Sequence, residues 1–212
     1  MKRITLSLLL LFIACFPGLP QEDTVTMILS EAKANLERMN DFSADFTYSI
    51  ENKSKPVSIS KKGKFQFAKG KYVLLMDDQE IFCDGKSMWI HIQGDEEVNI
   101  LHYDPEDSTG FDLILSPFYE EATKSIYEGK KLVDGITYDQ IYLEFSNPEL
   151  DYHKARLWID EASKILEKIV LVNRRQTIST YQFTNIKTDQ GLPESTFVFD
   201  IENFNGEIYD ER

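Results

Sequence analysis

The chain has 212 residues, 42% hydrophobic and 12% aromatic, which is enough for a sizeable core and too apolar for a disordered chain. It carries 23 Lys and Arg against 36 Asp and Glu, a net charge of -13. That balance argues against nucleic acid as a partner and disfavours adsorption to anionic lipid.

At the N-terminus, Lys2-Arg3 precede the apolar run ITLSLLLLFIA, which is too short to span a membrane comfortably. Residues 1–20 therefore read as an export signal, with residues 21–212 as a single domain delivered to the periplasm. Leu11-Phe12-Ile13-Ala14-Cys15 resembles a bacterial lipobox, which would make Cys15 a lipid-bearing, membrane-anchored N-terminus. Ordinary cleavage between residues 14 and 22 is the alternative. Either outcome leaves Cys83 without a partner, so it is expected to be a small buried apolar side chain.

Val25, Leu29, Ala32, Leu36 and Met39 recur at spacings of 4, 3, 4 and 3, with Ile28 widening the stripe. This predicts an amphipathic helix over 23–40, capped by Asp23 or Thr24. The period then becomes two: Phe42, Ala44, Phe46, Tyr48 and Ile50 alternate with polar residues, as in a half-buried strand. Further strands are predicted at about 57–67, 71–77, 79–83, 87–93 and 97–103. Asp84-Gly85 between apolar runs marks a hairpin, because Gly takes positive φ without steric cost. The strand after it is unusual. Met88, Ile90 and Ile92 form one apolar face, yet Trp89 lies on the other and needs a cover.

Residues 104–122 break the pattern with a Pro, an acidic patch and a helix-like piece around 111–116. A loop of that length is expected to be functional, as a lid. Strands resume at about 125–131, 136–146, 153–160, 164–173, 176–187 and 195–200, with a hairpin around Glu161-Ala162-Ser163. The polar tail from Asn203 is expected to be loose. The fold class that follows is mainly β (α+β): an incomplete, strongly curved antiparallel β-barrel of about 11 strands, with helices covering the concave side.

No catalytic constellation emerges. His91 and His102 fall on neighbouring strands, where they could face each other, but two imidazoles without a third ligand make a poor metal site. There is no G-x-S-x-G elbow and no Gly-rich phosphate loop, and the carboxylates cluster in predicted turns. The reading is a protein that is not an enzyme and uses no metal or cofactor. The excess of aromatic and aliphatic residues on strands points elsewhere. A wide curved sheet with few helices leaves an apolar concavity, and an unfilled one is a ligand cavity.

Several pieces then occur in a telling order. A helix leads into Phe42-Ser43-Ala44-Asp45-Phe46-Thr47. Gly63-Lys64-Phe65-Gln66-Phe67 follows with Lys69, then Asp84-Gly85-Lys86-Ser87-Met88-Trp89, and late in the chain Ser179-Thr180-Tyr181-Gln182-Phe183 and Phe197-Val198-Phe199. Over about residues 23–200 the chain resembles the periplasmic lipoprotein carrier family, LolA. The resemblance implies an incomplete barrel that binds the acyl chains of lipoproteins between inner and outer membranes. The acyl-binding residues would be Phe46, Tyr48, Phe65, Phe67, Tyr72, Leu74, Met76, Ile81 and Trp89. Phe111, Leu113, Ile114, Leu115 and Phe118 would form the lid. Lys69 stands where well-described members use an Arg as lid latch, and lacks that residue's planar fork. The implied partners are acylated lipoproteins, an inner-membrane lipoprotein-releasing ABC transporter, and the outer membrane or its receptor, with the carrier a monomer. A membrane-anchored acceptor of the same fold, like LolB, is the alternative, as is a carrier of another lipid or glycolipid.

Overall fold

The computed structural model describes residues 21–52, 57–94, 96–104 and 117–212. The predicted export signal with Cys15, and the predicted lid residues Phe111, Leu113, Ile114 and Leu115, lie outside the described residues.

Helix α1 spans Gln21–Arg38, so Asp23 and Thr24 lie inside it and do not cap it. Its apolar stripe is unevenly used. Val25, Ile28 and Leu29 are buried, whereas Ala32 and Leu36 in the second half, and Met39 just past its end, are only half-buried. Twelve strands follow among the described residues: β1 (Phe42–Asn52), β2 (Val57–Ala68), β3 (Lys71–Met76), β4 (Gln79–Cys83), β5 (Ser87–Ile92), β6 (Glu97–His102), β7 (Lys124–Val133), β8 (Ile136–Glu144), β9 (Lys154–Asp160), β10 (Leu166–Val172), β11 (Thr177–Thr188) and β12 (Glu207–Asp210). They form one open, curved sheet in the order β12-β6-β5-β4-β3-β2-β1-β11-β10-β9-β8-β7. Every pairing is antiparallel except β12 on β6.

Two local devices set the register on the β1–β5 side. Asp84 Oδ1 accepts from the backbone N–H groups of Lys86 (2.8 Å) and Ser87 (2.7 Å), and Gly85 takes φ 87°, which closes the predicted β4–β5 hairpin. Gly63 lies inside β2, opposite Phe46 on one side and Met76 on the other. A Cβ there would stand 2.1 Å from the Leu75 carbonyl oxygen, so the missing side chain lets β2 and β3 approach.

Alternation then sorts the sheet into two faces. The inner face, under α1, carries Phe42, Ala44, Phe46, Phe65, Tyr72, Leu74, Met76 and Cys83 from β1–β4, continuous with Ile141, Leu143, Leu157, Ile159, Ile169, Tyr181 and Phe183 from β8–β11. At its centre Phe183 lies 5.6 Å from both Phe46 and Phe65, ring centre to ring centre. Cys83 is buried in this core, as expected of a small apolar side chain.

The C-terminal segment departs from the sequence expectation. Residues 195–200 are not a strand: Glu194–Phe197 and Ile201–Asn203 form short 3-10 turns. The tail is not loose, because Glu207–Asp210 pairs with β6 and the Arg212 guanidinium donates to Ser87 Oγ at 3.1 Å. Its polar composition hid this, since strand pairing is made by backbone groups and needs no apolar side chain.

Candidate functional site

An apolar cleft of about 120 Å³ lies between α1 and the inner face. Leu29, Leu36 and Met39 roof it, Phe42 and Phe65 form its floor, and Ile159 and Leu166 close one side. These positions follow from two periodicities meeting. The 4-3 spacing of α1 aims its stripe downward, and the period-two alternation of β1, β2, β9 and β10 aims every second side chain upward. In this form the cleft is smaller than the roughly 300–1,000 Å³ of sites that take a drug-sized ligand.

The rim is polar and held by exposed contacts. Asn35 Nδ2 donates to the Ser163 carbonyl (2.7 Å), Lys33 Nζ pairs with Glu120 (2.8 Å), and Lys164 Nζ pairs with Glu31 (3.1 Å). The Glu120 carboxylate holds the Lys33 ammonium above its ordinary range. Burial pushes the Tyr119 phenol, which also lines the cleft, above its usual value. Beneath this rim the lining is apolar.

The structure places the predicted residues as follows. Phe46, Phe65, Tyr72, Leu74 and Met76 are buried in the inner-face core, and Tyr48, Phe67 and Ile81 pack against it. Of these eight, only Phe65 borders the cleft. Trp89 is a correction. It pairs with Phe82 on β4 and Ile100 on β6, one residue out of phase with the inner-face pairs Cys83–Met88 and Met88–Leu101, so it points to the outer face. There it forms a second core with Val98, Ile100 and Phe199, joined by Phe82, Ile201 and Phe204. The cover that Trp89 requires is the C-terminal segment, not a cavity.

Phe118, placed in the lid by sequence, is buried against Phe145 (6.2 Å) and Tyr152 (6.1 Å), while its neighbours Pro117 and Tyr119 border the cleft. Lys69 occupies the β2–β3 turn with Gly70, at φ 48° and 82°, and is exposed; among the described residues it has no ion-pair partner. His91 and His102 do not face each other. His102 pairs with Ser87 and His91 with Val98, at opposite ends of the β5–β6 ladder. His91 instead lies 3.4 Å from Glu80, beside the rings of Phe199 and Phe204.

Sequence reasoning missed the cleft residues Leu29, Leu36, Met39 and Phe42 as site residues. The signal was available, because the α1 stripe and the β1 alternation both named them as buried. What was lacking was the knowledge that the stripe's second half lies over incompletely filled space.

The model of the family described as outer membrane lipoprotein carrier protein LolA matches residues 37–200. No curated protein matches the chain in sequence. Among solved structures, an uncharacterized conserved protein from Thermus thermophilus superposes with a TM-score of 0.60 at 8% identity, over 88% of this chain and 99% of that one. A LolA superfamily protein from Nitrosomonas europaea gives 0.44 at 12% identity, over 82% and 97%. The lipoprotein LppX from Mycobacterium tuberculosis gives 0.49 at 11% identity, over 81% and 98%.

Proposed function

This chain belongs to the outer membrane lipoprotein carrier protein LolA family, and from that premise we propose that it is a periplasmic carrier, binding lipoprotein acyl chains between α1 and the inner sheet face and moving them from inner to outer membrane. It acts by binding, not by catalysis. Its partners are acylated lipoproteins, a releasing transporter in the inner membrane, and the outer membrane or a receptor there.

The observation that carries the reading is the apolar cleft beneath the second half of α1. Each methylene withdrawn from water contributes about 0.8 kcal/mol, so cargo leaves a bilayer only for an apolar surface of comparable extent. The inner face supplies such a surface once α1 lifts. The helix is built for unequal motion. Its first half is anchored by buried Val25, Ile28 and Leu29, whereas its second half rests on Asn35–Ser163 and two exposed ion pairs. Exposed ion pairs contribute about 0–1 kcal/mol each, so the cost of lifting that half is small beside the gain from one acyl chain.

Leu36→Glu places a carboxylate in the cleft roof at a half-buried position. The variant is expected to keep the cooperative unfolding of the parent and to lose at least about tenfold in affinity for a fluorescent di- or triacylated lipopeptide, about 1.4 kcal/mol or more. Unchanged affinity would overturn the placement of the acyl site under α1.

A further inference from the structure

The outer face of the β8–β11 region holds a feature the carrier reading does not use. A groove of about 610 Å³ runs across it, within the size range of small-molecule sites. Its floor is Trp158, half-buried on a face that would ordinarily be wet. Trp158 pairs across the ladder with Lys168, and Lys168 with Gln182, so three neighbouring strands present an aromatic ring, an ammonium and an amide in one row. The Lys168 ammonium lies over the Trp158 ring, 5.1 Å from its centre. Beside the row, Tyr138 donates its hydroxyl to Glu167 Oε2 at 2.7 Å. Burial, with Asp160 nearby, raises the Glu167 carboxyl above its usual value even though the Tyr138 hydroxyl opposes the shift.

The chemistry of this lining selects among ligands. Polar groups make up a far larger share of this lining than of the α1 cleft, so a bare hydrocarbon tail is better matched to the cleft. Asp134, Asp160 and Glu167 outnumber Lys168, which is wrong for a phosphate or an anionic surface. An extended peptide would gain by adding to a free strand edge, but here β8, β9, β10 and β11 are all paired with one another. What remains is a ligand with one apolar ring face and many hydroxyls at its edge. We infer that the groove floored by Trp158 and edged by Tyr138, Glu167, Lys168, Gln182 and Thr184 is a binding site for an uncharged oligosaccharide. The Lys168 ammonium swings off the indole to the groove's edge, and the aliphatic face of a sugar ring takes its place on the ring. The Glu167 carboxylate accepts from sugar hydroxyls, and Lys168 and Gln182 donate to ring or acetamide oxygens.

The test uses the chain's two tryptophans. In a ¹H–¹⁵N spectrum of the whole protein, Trp158 reports the groove, and Trp89, buried under the C-terminal segment, is the internal control. Three probes, the tetrasaccharides of N-acetylglucosamine, cellulose and starch, are titrated to about 10 mM, a range that captures weak binding. The expected result is a saturable shift of the Trp158 indole N–H and of the Lys168 and Gln182 amides with at least one probe, while the Trp89 indole stays fixed. Trp158→Ala and Glu167→Gln, both at half-exposed positions, should keep a dispersed spectrum and weaken that binding tenfold or more. The proposal is overturned if none of the three probes gives a saturable shift, if both indoles move together, or if Trp158→Ala binds as the parent does. Because the groove and the α1 cleft share only Ile165, beside the β9–β10 turn, its failure would leave the carrier reading untouched.

Discussion

Asp41 joins the start of β1 to the loop after β11, and its replacement by Asn should be costly for a defined reason. The carboxylate is buried and accepts from three backbone N–H groups: Gln190 at 2.8 Å, Gly191 at 2.6 Å and Leu192 at 3.1 Å. The Asp189 N–H adds a bond to the Asp41 carbonyl at 3.0 Å. Burial alone would push this carboxyl up, but the three donors together outweigh it and hold it below the ordinary value of 3.8. Hydrogen bonds to a charged group contribute about 1.5–3 kcal/mol each. Asp41→Asn keeps one acceptor oxygen and turns an NH₂ toward donors, so the expected loss is about 3 kcal/mol, or about 6–12 °C in Tm for a domain of this size. The sign of the pH dependence follows from the lowered carboxyl. Its contribution is fully present above the unfolded-state value and is lost as pH falls through the lower folded value. The Tm gap between parent and variant should therefore hold from neutral pH to about pH 5 and narrow only at more acid pH. Thermal unfolding of both proteins at a series of pH values checks this. A neutral-pH gap below about 2 °C, or one that persists undiminished in strong acid, would refute the reasoning.

Two further substitutions probe the sheet. Gly63→Ala sets a methyl 2.1 Å from the Leu75 carbonyl oxygen and should cost about 3 kcal/mol in urea unfolding; a change below about 0.5 kcal/mol would show that β2 and β3 yield freely. Phe199→Ala removes a ring that packs on Phe82 at 5.6 Å and on Phe204 at 5.4 Å. It should cost about 3 kcal/mol and, read in a Trp158→Phe background, shift the Trp89 emission to the red; an unmoved spectrum would mean that the C-terminal segment does not shield that indole.

Legibility in the sequence divides along a physical line. Features set by local periodicity or turn chemistry were readable: the α1 stripe, the β1 alternation, the Asp84-Gly85 hairpin and the β9–β10 hairpin. Period two also told that Trp89 and Met88 face opposite ways. It did not tell what covers Trp89, because Phe199 and Phe204 arrive from far downstream, in a segment that reads as one more strand and a loose polar tail. The Asp41 clamp was invisible for a related reason, since its partners are backbone N–H groups that any residue would supply. The cleft residues were readable as buried but not as a site, because α1 fills its space at one end and not at the other. The outer groove is assembled from Tyr138, Trp158, Glu167 and Gln182 on four strands, and only the register brings them together.

The central claim, that this chain carries acylated cargo, is tested most directly by native mass spectrometry of the protein recovered from the soluble fraction of its own cell envelope. The account predicts a complex whose added mass resolves, on activation, into an acylated lipoprotein, and its loss in Leu36→Glu. Soluble protein recovered at its own mass, or bearing only a free lipid, with no acylated protein across preparations, would contradict the claim.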